Sequence, residues 1–325
     1  MSLSIGYTLM CEQSSPQRLV SHAQAAERAG FSLAVISDHF NPWLDEQGHS
    51  PNAWVTLGAL ANATERIELM TYVTCPIGRY HPAVVAQQAA TLGILSDGRF
   101  SLGLGAGENL NEHVIGQGWD PVNVRHERFA EALEIINQLF DGGYVNYVGN
   151  HYRVDSAKLW DLPDKRVPIG AAVSGSQSIK TAAPGVDFMI AVEPDADAVA
   201  EFDRSAADAP ARKVGQLPIS WDSDREQAVQ RAHDQFRWFA GGWKVNAELP
   251  GPSGFAAASQ FVRPEDVADQ IPCGDDIDAL IEAARPFADA GFTDLALVQI
   301  GDDAQEQFLD VAPEVIKALE AAFAS

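Results

Sequence analysis

The chain has 325 residues, 46% of them hydrophobic, and a formal net charge of −23. That length suits one large α/β barrel or two medium domains, and the apolar share is enough for a real core. The acidity disfavours nucleic acid and anionic membrane surfaces as partners, and the 21% of charged residues form no long like-charge block, which argues against disorder.

In chain order, a first strand is predicted over 3–8. Ser15 followed by Pro16 signals a helix start, a capping hydroxyl ahead of a residue whose missing N–H costs nothing there. Leu19, Ala23 and Ala26 share one helical face, and Gly30 suits the left-handed residue that ends such a helix. A buried strand follows over 31–37, then a strand over 67–73 and a helix over 81–95. The next strand spans 100–105. Phe129, Leu133, Ile136 and Phe140 form one stripe of a later helix that stops at Gly142. Strands are predicted over 167–173, 186–192 and 295–300, with a weaker one over 216–221, where Pro218 removes a ladder donor. A last helix covers 308–323. Residues 143–164, with Tyr144, Tyr147 and Tyr152, read as a hairpin insertion. Residues 241–270, rich in Gly, Pro, Ala and Ser, read as a lid or insertion.

Ala29-Gly30-Phe31 and Ala290-Gly291-Phe292 repeat the same helix-to-strand junction. About eight strand–helix steps, with no separating linker, favour a single (β/α)8 TIM barrel with insertions over a Rossmann sheet. Cys11, Cys75 and Cys273 are an odd, scattered set, which fits a reducing cytoplasm. No CxxC or HxxxH spacing suggests a metal, and Cys75 reads as a small packing residue. The opening MSLSIGYTLMCEQ lacks the pattern of a signal peptide, and no run of 18 apolar residues predicts a membrane span.

A barrel builds its active site from the loops after its strands. After the second strand comes Ser37-Asp38-His39-Phe40-Asn41-Pro42-Trp43. His39 titrates near neutrality and suits a general base; Asp38 beside it can orient a ring or a cofactor amide. Both also have a plainer reading, as residues that satisfy a loop. Trp43 offers a flat apolar wall, or simple packing. After the fourth strand comes Gly105-Ala106-Gly107-Glu108-Asn109-Leu110-Asn111-Glu112. Burial of Glu108 would raise its pKa and make it an acid or a ring partner; otherwise it is an exposed loop carboxylate. The Gly103–Gly107 glycines do not match a dinucleotide fingerprint, because their spacing is wrong and no clean helix opens after them. Ser174-Gly175-Ser176-Gln177 precedes a helix start and suits a phosphate. The histidines outside the His39 loop, other than His81, read as helix-face or surface residues.

At these segments, and at Gly48-His49-Ser50-Pro51 and Arg79-Tyr80-His81-Pro82-Ala83-Val84, the sequence resembles the luciferase-like flavin and deazaflavin enzymes. It is most similar to the coenzyme F420-dependent glucose-6-phosphate dehydrogenase group. The resemblance implies a TIM barrel, usually dimeric, with F420 in its mouth. Asp38, the Tyr72-Val73 peptide (often cis in that family), Thr74, Gly107, Asn111, Ser174, Gly175, Ser176 and Gln177 would hold it. His39 would remove the substrate hydroxyl proton as hydride leaves for the deazaflavin, Trp43 would line the substrate, and Glu108 would act near the ring as proton donor or electrostatic partner. FMN is the alternative cofactor, in a monooxygenase or a methylene-tetrahydromethanopterin reductase-like enzyme. Where the sugar-phosphate enzymes carry basic residues, this sequence has Asp195 and Asp269-Gln270, with Lys244 a candidate replacement. Carboxylates there would repel a phosphate, so the expected substrate is a small alcohol or non-phosphorylated sugar, and the expected assembly a homodimer.

Overall fold

The computed structural model describes residues 3–206 and 212–324. Ten strands are present: β1 (Ser4–Leu9), β2 (Leu33–Ile36), β3 (Glu68–Thr71), β4 (Phe100–Leu104), β5 (Val145–Val148), β6 (Arg153–Ala157), β7 (Ile169–Ala172), β8 (Phe188–Ile190), β9 (Lys213–Ile219) and β10 (Asp294–Gln299). Eight of them close into one parallel barrel in the order β1-β10-β9-β8-β7-β4-β3-β2, and β5 pairs antiparallel with β6 as a separate hairpin. This is a (β/α)8 TIM barrel with insertions. The barrel strands are buried along most of their length because both of their faces are covered, and β2 and β8 are unbroken apolar runs.

The helix signals work as the chemistry requires. Ser15 accepts from Arg18 N–H ahead of Pro16–Ala29, and Gly30 ends that helix at φ 101°. Gly291 repeats the device at φ 92° after Ile277–Ala290. His81 sits just outside the helix Pro82–Leu95 and caps it, its Nδ1 accepting from Ala83 N–H. Pro218 lies within β9 without harm. Strand β8 pairs with β9 only at Lys213 and Val214, so at Pro218 the sole neighbour is β10, and the missing donor costs no ladder bond on the other side.

Residues 143–164 do hold the β5–β6 hairpin. Residues 241–270 form three short helices, Trp243–Asn246, Pro252–Ala258 and Pro264–Ala268, joined by turns. His22 lies on a helix face, as expected, but that face is the buried one.

The barrel closes tightly between β3 and β4. A Cβ added to Gly103 would lie 2.0 Å from the Thr71 carbonyl oxygen, while the Thr71 hydroxyl donates to Gly103 O at 2.8 Å. The obstacle is backbone inside a ladder, so it cannot swing aside. Gly103→Ala is expected to cost about 3 kcal/mol by overpacking, read as a lower urea midpoint at unchanged slope. A midpoint equal to the parent's would show that the strands can part there.

Candidate active site

The site lies at the strand C-terminal ends. His39 follows β2, is only 8% exposed, and places Nδ1 2.8 Å from Oε1 of the fully buried Glu12. Glu12 comes from the turn after β1. Its Oε2 accepts from the Ser37 hydroxyl at 2.9 Å. The Gly48–Pro51 segment supports both: His49 N–H donates to the Glu12 carbonyl, and the Ser50 hydroxyl donates to the His39 carbonyl. With Nδ1 engaged by a carboxylate, Nε2 is the ring atom left to take and return a proton.

Burial pushes the His39 pKa down. The Glu12 carboxylate outweighs it, with a further pull from Glu108, and the net shift is upward. Burial is also the largest influence on Glu108 and raises it; the charge of His39 and the Trp43 indole offset this in part, and Glu12 adds to it. Glu108 is partly exposed as a residue, but its Oε2 is buried and accepts no hydrogen bond. Trp43 packs edge-on against His39 at 4.5 Å between ring centres. Its backbone N–H is held by Gln47 Oε1. Its other face stacks on Trp238 at 4.1 Å and 13°.

Asp38 does not face His39. Its Oδ2 accepts from the Trp54 indole at 3.1 Å and the Thr74 hydroxyl at 2.7 Å; its Oδ1 accepts from Arg79 at 3.1 Å and the Tyr80 hydroxyl at 3.3 Å. A carboxylate has about four acceptor positions, so Asp38 is saturated by the protein and acts as a hub for the loops after β2 and β3. The carboxylate on His39 is Glu12, not its sequence neighbour Asp38. Asn111 ties the same loops, its Oδ1 accepting from the N–H of Phe40 at 2.9 Å and of Asn41 at 3.4 Å.

The Tyr72-Val73 peptide is cis. Tyr72, Val73 and Ala172 are half-buried on top of the apolar barrel interior. Gly107 has φ 81°, and a Cβ there would lie 2.5 Å from Cys75 Sγ. Cys75 is buried and its thiol is pushed well up by burial, so it fills space rather than reacting. Ser174, Gly175, Ser176 and Gln177 are exposed after β7, ahead of and into the helix Ser176–Ala182. The N–H groups of Ser174 and Gly175 are taken by the Ser178 hydroxyl, and the Ser176 hydroxyl donates to Glu201. Asp195 caps a helix at the surface, and Asp269, Gln270 and Lys244 are exposed.

Two site residues escaped the sequence reading. Glu12 sits in Cys11-Glu12-Gln13 directly after β1, so the same inspection of strand ends finds it once β1 is included. Trp238 has no local signal, because only barrel closure brings it to Trp43. Among the described residues no group of three or more metal-ligating side chains gathers.

The raised His39 pKa has a sign that can be tested. The Glu12 pairing stabilises the fold fully below the ordinary histidine value of 6.5 and fades as pH rises through the higher folded value. In Glu12→Gln the largest upward influence is removed while burial remains, so His39 is expected to titrate lower than in the parent chain, followed by imidazole NMR shifts. An unchanged titration would remove Glu12 from the account.

The comparisons agree with this architecture. The family model for luciferase-like monooxygenases matches residues 4–294. An F420-dependent hydroxymycolic acid dehydrogenase of Mycobacterium tuberculosis is 39% identical over 89% of this chain and 81% of its own. An F420-dependent glucose-6-phosphate dehydrogenase of Nakamurella multipartita is 34% identical over 97% of this chain and 95% of its own. A solved F420-dependent secondary alcohol dehydrogenase in complex with an F420-acetone adduct superposes with a TM-score of 0.89 at 28% identity, covering 98% of this chain and 99% of that one. With a family match over most of its length and relatives above 30% identity along nearly the whole chain, this protein belongs to the luciferase-like monooxygenase family.

Proposed function

We propose that this chain is an F420-dependent oxidoreductase that interconverts a neutral secondary alcohol and its carbonyl compound, with His39 as the base. The observation that carries the reading is the Glu12–His39–Glu108 group, buried beside Trp43 at the barrel mouth. The F420-dependent names of the relatives support the cofactor.

The residues present fit a deazaflavin. Tyr72, Val73 and Ala172 offer a half-buried apolar floor for a flat ring. The unpartnered Glu108 Oε2 offers an acceptor, or when protonated a donor, to a polar ring edge. Gly107 brings backbone close on one side. Thr74 and Asn111 hold the walls through Asp38 and the His39 loop. Ser174, Gly175, Ser176 and Gln177 would meet a phosphorylated tail, the Ser176 hydroxyl exchanging Glu201 for it. When bound, the deazaflavin supplies a two-electron hydride acceptor.

The chain's own part is proton handling and alignment. His39 Nε2 takes the hydroxyl proton as hydride leaves the adjacent carbon, so the alcohol loses one hydride and one proton (two electrons and two protons in all) and becomes a carbonyl compound. Glu12 stabilises the imidazolium that results. In the reverse direction the same imidazolium returns the proton. Trp43 confines the substrate against His39 and keeps water away. Burial raises the Glu108 pKa, which favours its neutral form beside the developing alkoxide.

A phosphorylated substrate is disfavoured. Arg79, the residues Arg125 and Arg128 of the helix Val122–Phe140, and Arg237 are paired with Asp38, Glu248, Asp120 and Glu46, respectively. No helix among the described residues is long and apolar enough to cross a membrane; a cytoplasmic site of action is our reading of the cysteine content. A homodimer is supported by Ala53–Ala63 and Pro82–Leu95. These helices carry apolar residues on their outer faces too, and Val55 is 76% and Leu95 57% exposed.

Titration with F420 and, separately, FMN, followed by tryptophan fluorescence, is expected to give micromolar F420 binding and little FMN binding. His39→Ala should keep that binding and lose at least about 100-fold in turnover of small secondary alcohols. Tight FMN binding without an F420 response would replace this reading with a flavin monooxygenase. Sedimentation should give a dimer for the parent chain and a monomer for Val55→Asp with Leu95→Asp; a monomeric parent would contradict the assembly.

A further inference from the structure

His39 is nearly out of solvent beneath Trp43, and Trp43 is covered by Trp238. Trp238 belongs to the 3-10 turn Arg237–Gly241, and the next ten residues, 242–251, form a flap. The flap begins at Gly242, whose φ of 72° is the left-handed region that favours glycine. It then runs through the helix Trp243–Asn246, and the Asn246 side chain donates to the Trp238 carbonyl at 3.3 Å. The covering indole and the flap are therefore joined.

The flap is tied to the loop after β4, and its Leu249 packs against the cluster of Leu44, Leu110 and Phe255. Asn109, the residue after Glu108, donates its backbone N–H to the Ala247 carbonyl at 3.0 Å and its side-chain amide to the Glu248 carbonyl at 3.0 Å. The Glu248 carboxylate then makes two charge-assisted bonds. Oε1 accepts from Arg125 Nη2 at 2.7 Å, and Oε2 accepts from the Trp119 indole at 2.9 Å. Arg125 in turn lies flat over the Trp119 ring at 4.2 Å. The two partners are differently placed. Arg125 is buried, whereas the Glu248 side chain is 55% exposed. A buried guanidinium needs its carboxylate more than an exposed carboxylate needs it, so the clasp resists opening from the Arg125 side and is weakened by salt from the Glu248 side. A cavity of about 30 Å³ bordered by Glu112, Trp119, Arg125 and Arg128 has room for one water, and Arg125 Nε makes no hydrogen bond. Water can thus take over part of the arginine when the carboxylate leaves.

We propose that Glu248 is a positioning residue: its clasp on Arg125 and Trp119 holds the 242–251 flap shut over Glu108 and Trp43, and substrate enters when the clasp opens. The proposal that the flap gates substrate rests on the function proposed above; the clasp itself does not.

The test is hydrogen exchange on the full-length protein without cofactor, resolved to the peptides that contain Asn109 and residues 242–251. Glu248→Gln keeps the size of the side chain and removes its charge. It should speed exchange at both places about tenfold, leaving the barrel strands as they were. Trp119→Phe, which removes one donor only, should give a smaller change in the same peptides. Raising the salt should speed exchange in the parent chain and have little effect in Glu248→Gln. In turnover with F420 and a small secondary alcohol, Glu248→Gln should raise KM for the alcohol about tenfold while the Kd for F420 stays unchanged. Equal exchange in Glu248→Gln and the parent would overturn the clasp, whatever the activity. Faster exchange with KM and kcat both unmoved would overturn the gating. A parent chain that ignores F420 while exchange still responds to Glu248→Gln would leave the clasp standing and fail the proposed function instead.

Discussion

The contact between Glu12 and His39 is the constraint on which the rest of the site depends. A histidine buried to this degree would ordinarily give up its proton early and serve as a weak base. A carboxylate buried still deeper reverses that, and it also decides which ring nitrogen is free. The cost is a buried negative charge, and the surrounding chain is arranged to meet it: Ser37 donates to its second oxygen, and the segment around His49 and Ser50 ties both loops by backbone carbonyls. Glu108 then lies in the field of Glu12 with its Oε2 buried, and burial first, with Glu12 adding to it, raises its pKa.

Much of the barrel was legible because parallel strands covered on both faces are largely apolar runs, and because Gly30 and Gly291 mark the same junction twice. The weak reading of β9 had a sound cause in Pro218, and the reason it does no harm, an early end to β8, is a fact of register that no local pattern carries. At the site, His39, Trp43 and Glu108 were legible from their place after strands, and the structure gathers them. The roles of Asp38 and Glu12 were not both legible. Asp38 and His39 are adjacent in sequence, but successive residues leaving a strand point to opposite sides. Asp38 therefore turns to Trp54, Thr74, Arg79 and Tyr80, and the carboxylate on His39 comes from the turn after β1. Trp238 and Glu248 lie far along the chain from their partners and are visible only once the barrel is closed.

The sequence segments that carry the family resemblance now have physical reasons. Gly48–Pro51 supports the backbone of the Glu12–His39 pair. Arg79 and Tyr80 saturate Asp38, and His81 with Pro82 starts the helix behind them. Gly107 is the residue that lets the loop after β4 pass Cys75 with Glu108 turned inward. The strong acidity of the chain is compatible with an anionic cofactor only because the site is local. Glu12 is paired with His39 and Arg79 with Asp38 and Glu112, and the walls at Trp43, Trp238, Tyr72 and Val73 are apolar. The nearby arginines Arg79, Arg125, Arg128 and Arg237 are committed to carboxylates.

The most direct measurement is a single turnover of F420 with a secondary alcohol deuterated at its carbinol carbon, followed by mass spectrometry of the deazaflavin. Direct hydride transfer in the Glu12–His39 site predicts that the reduced deazaflavin carries the deuterium from carbon and that reduction is slower with the labelled alcohol. Reduced deazaflavin without label, or no reduction by any neutral alcohol, would contradict it.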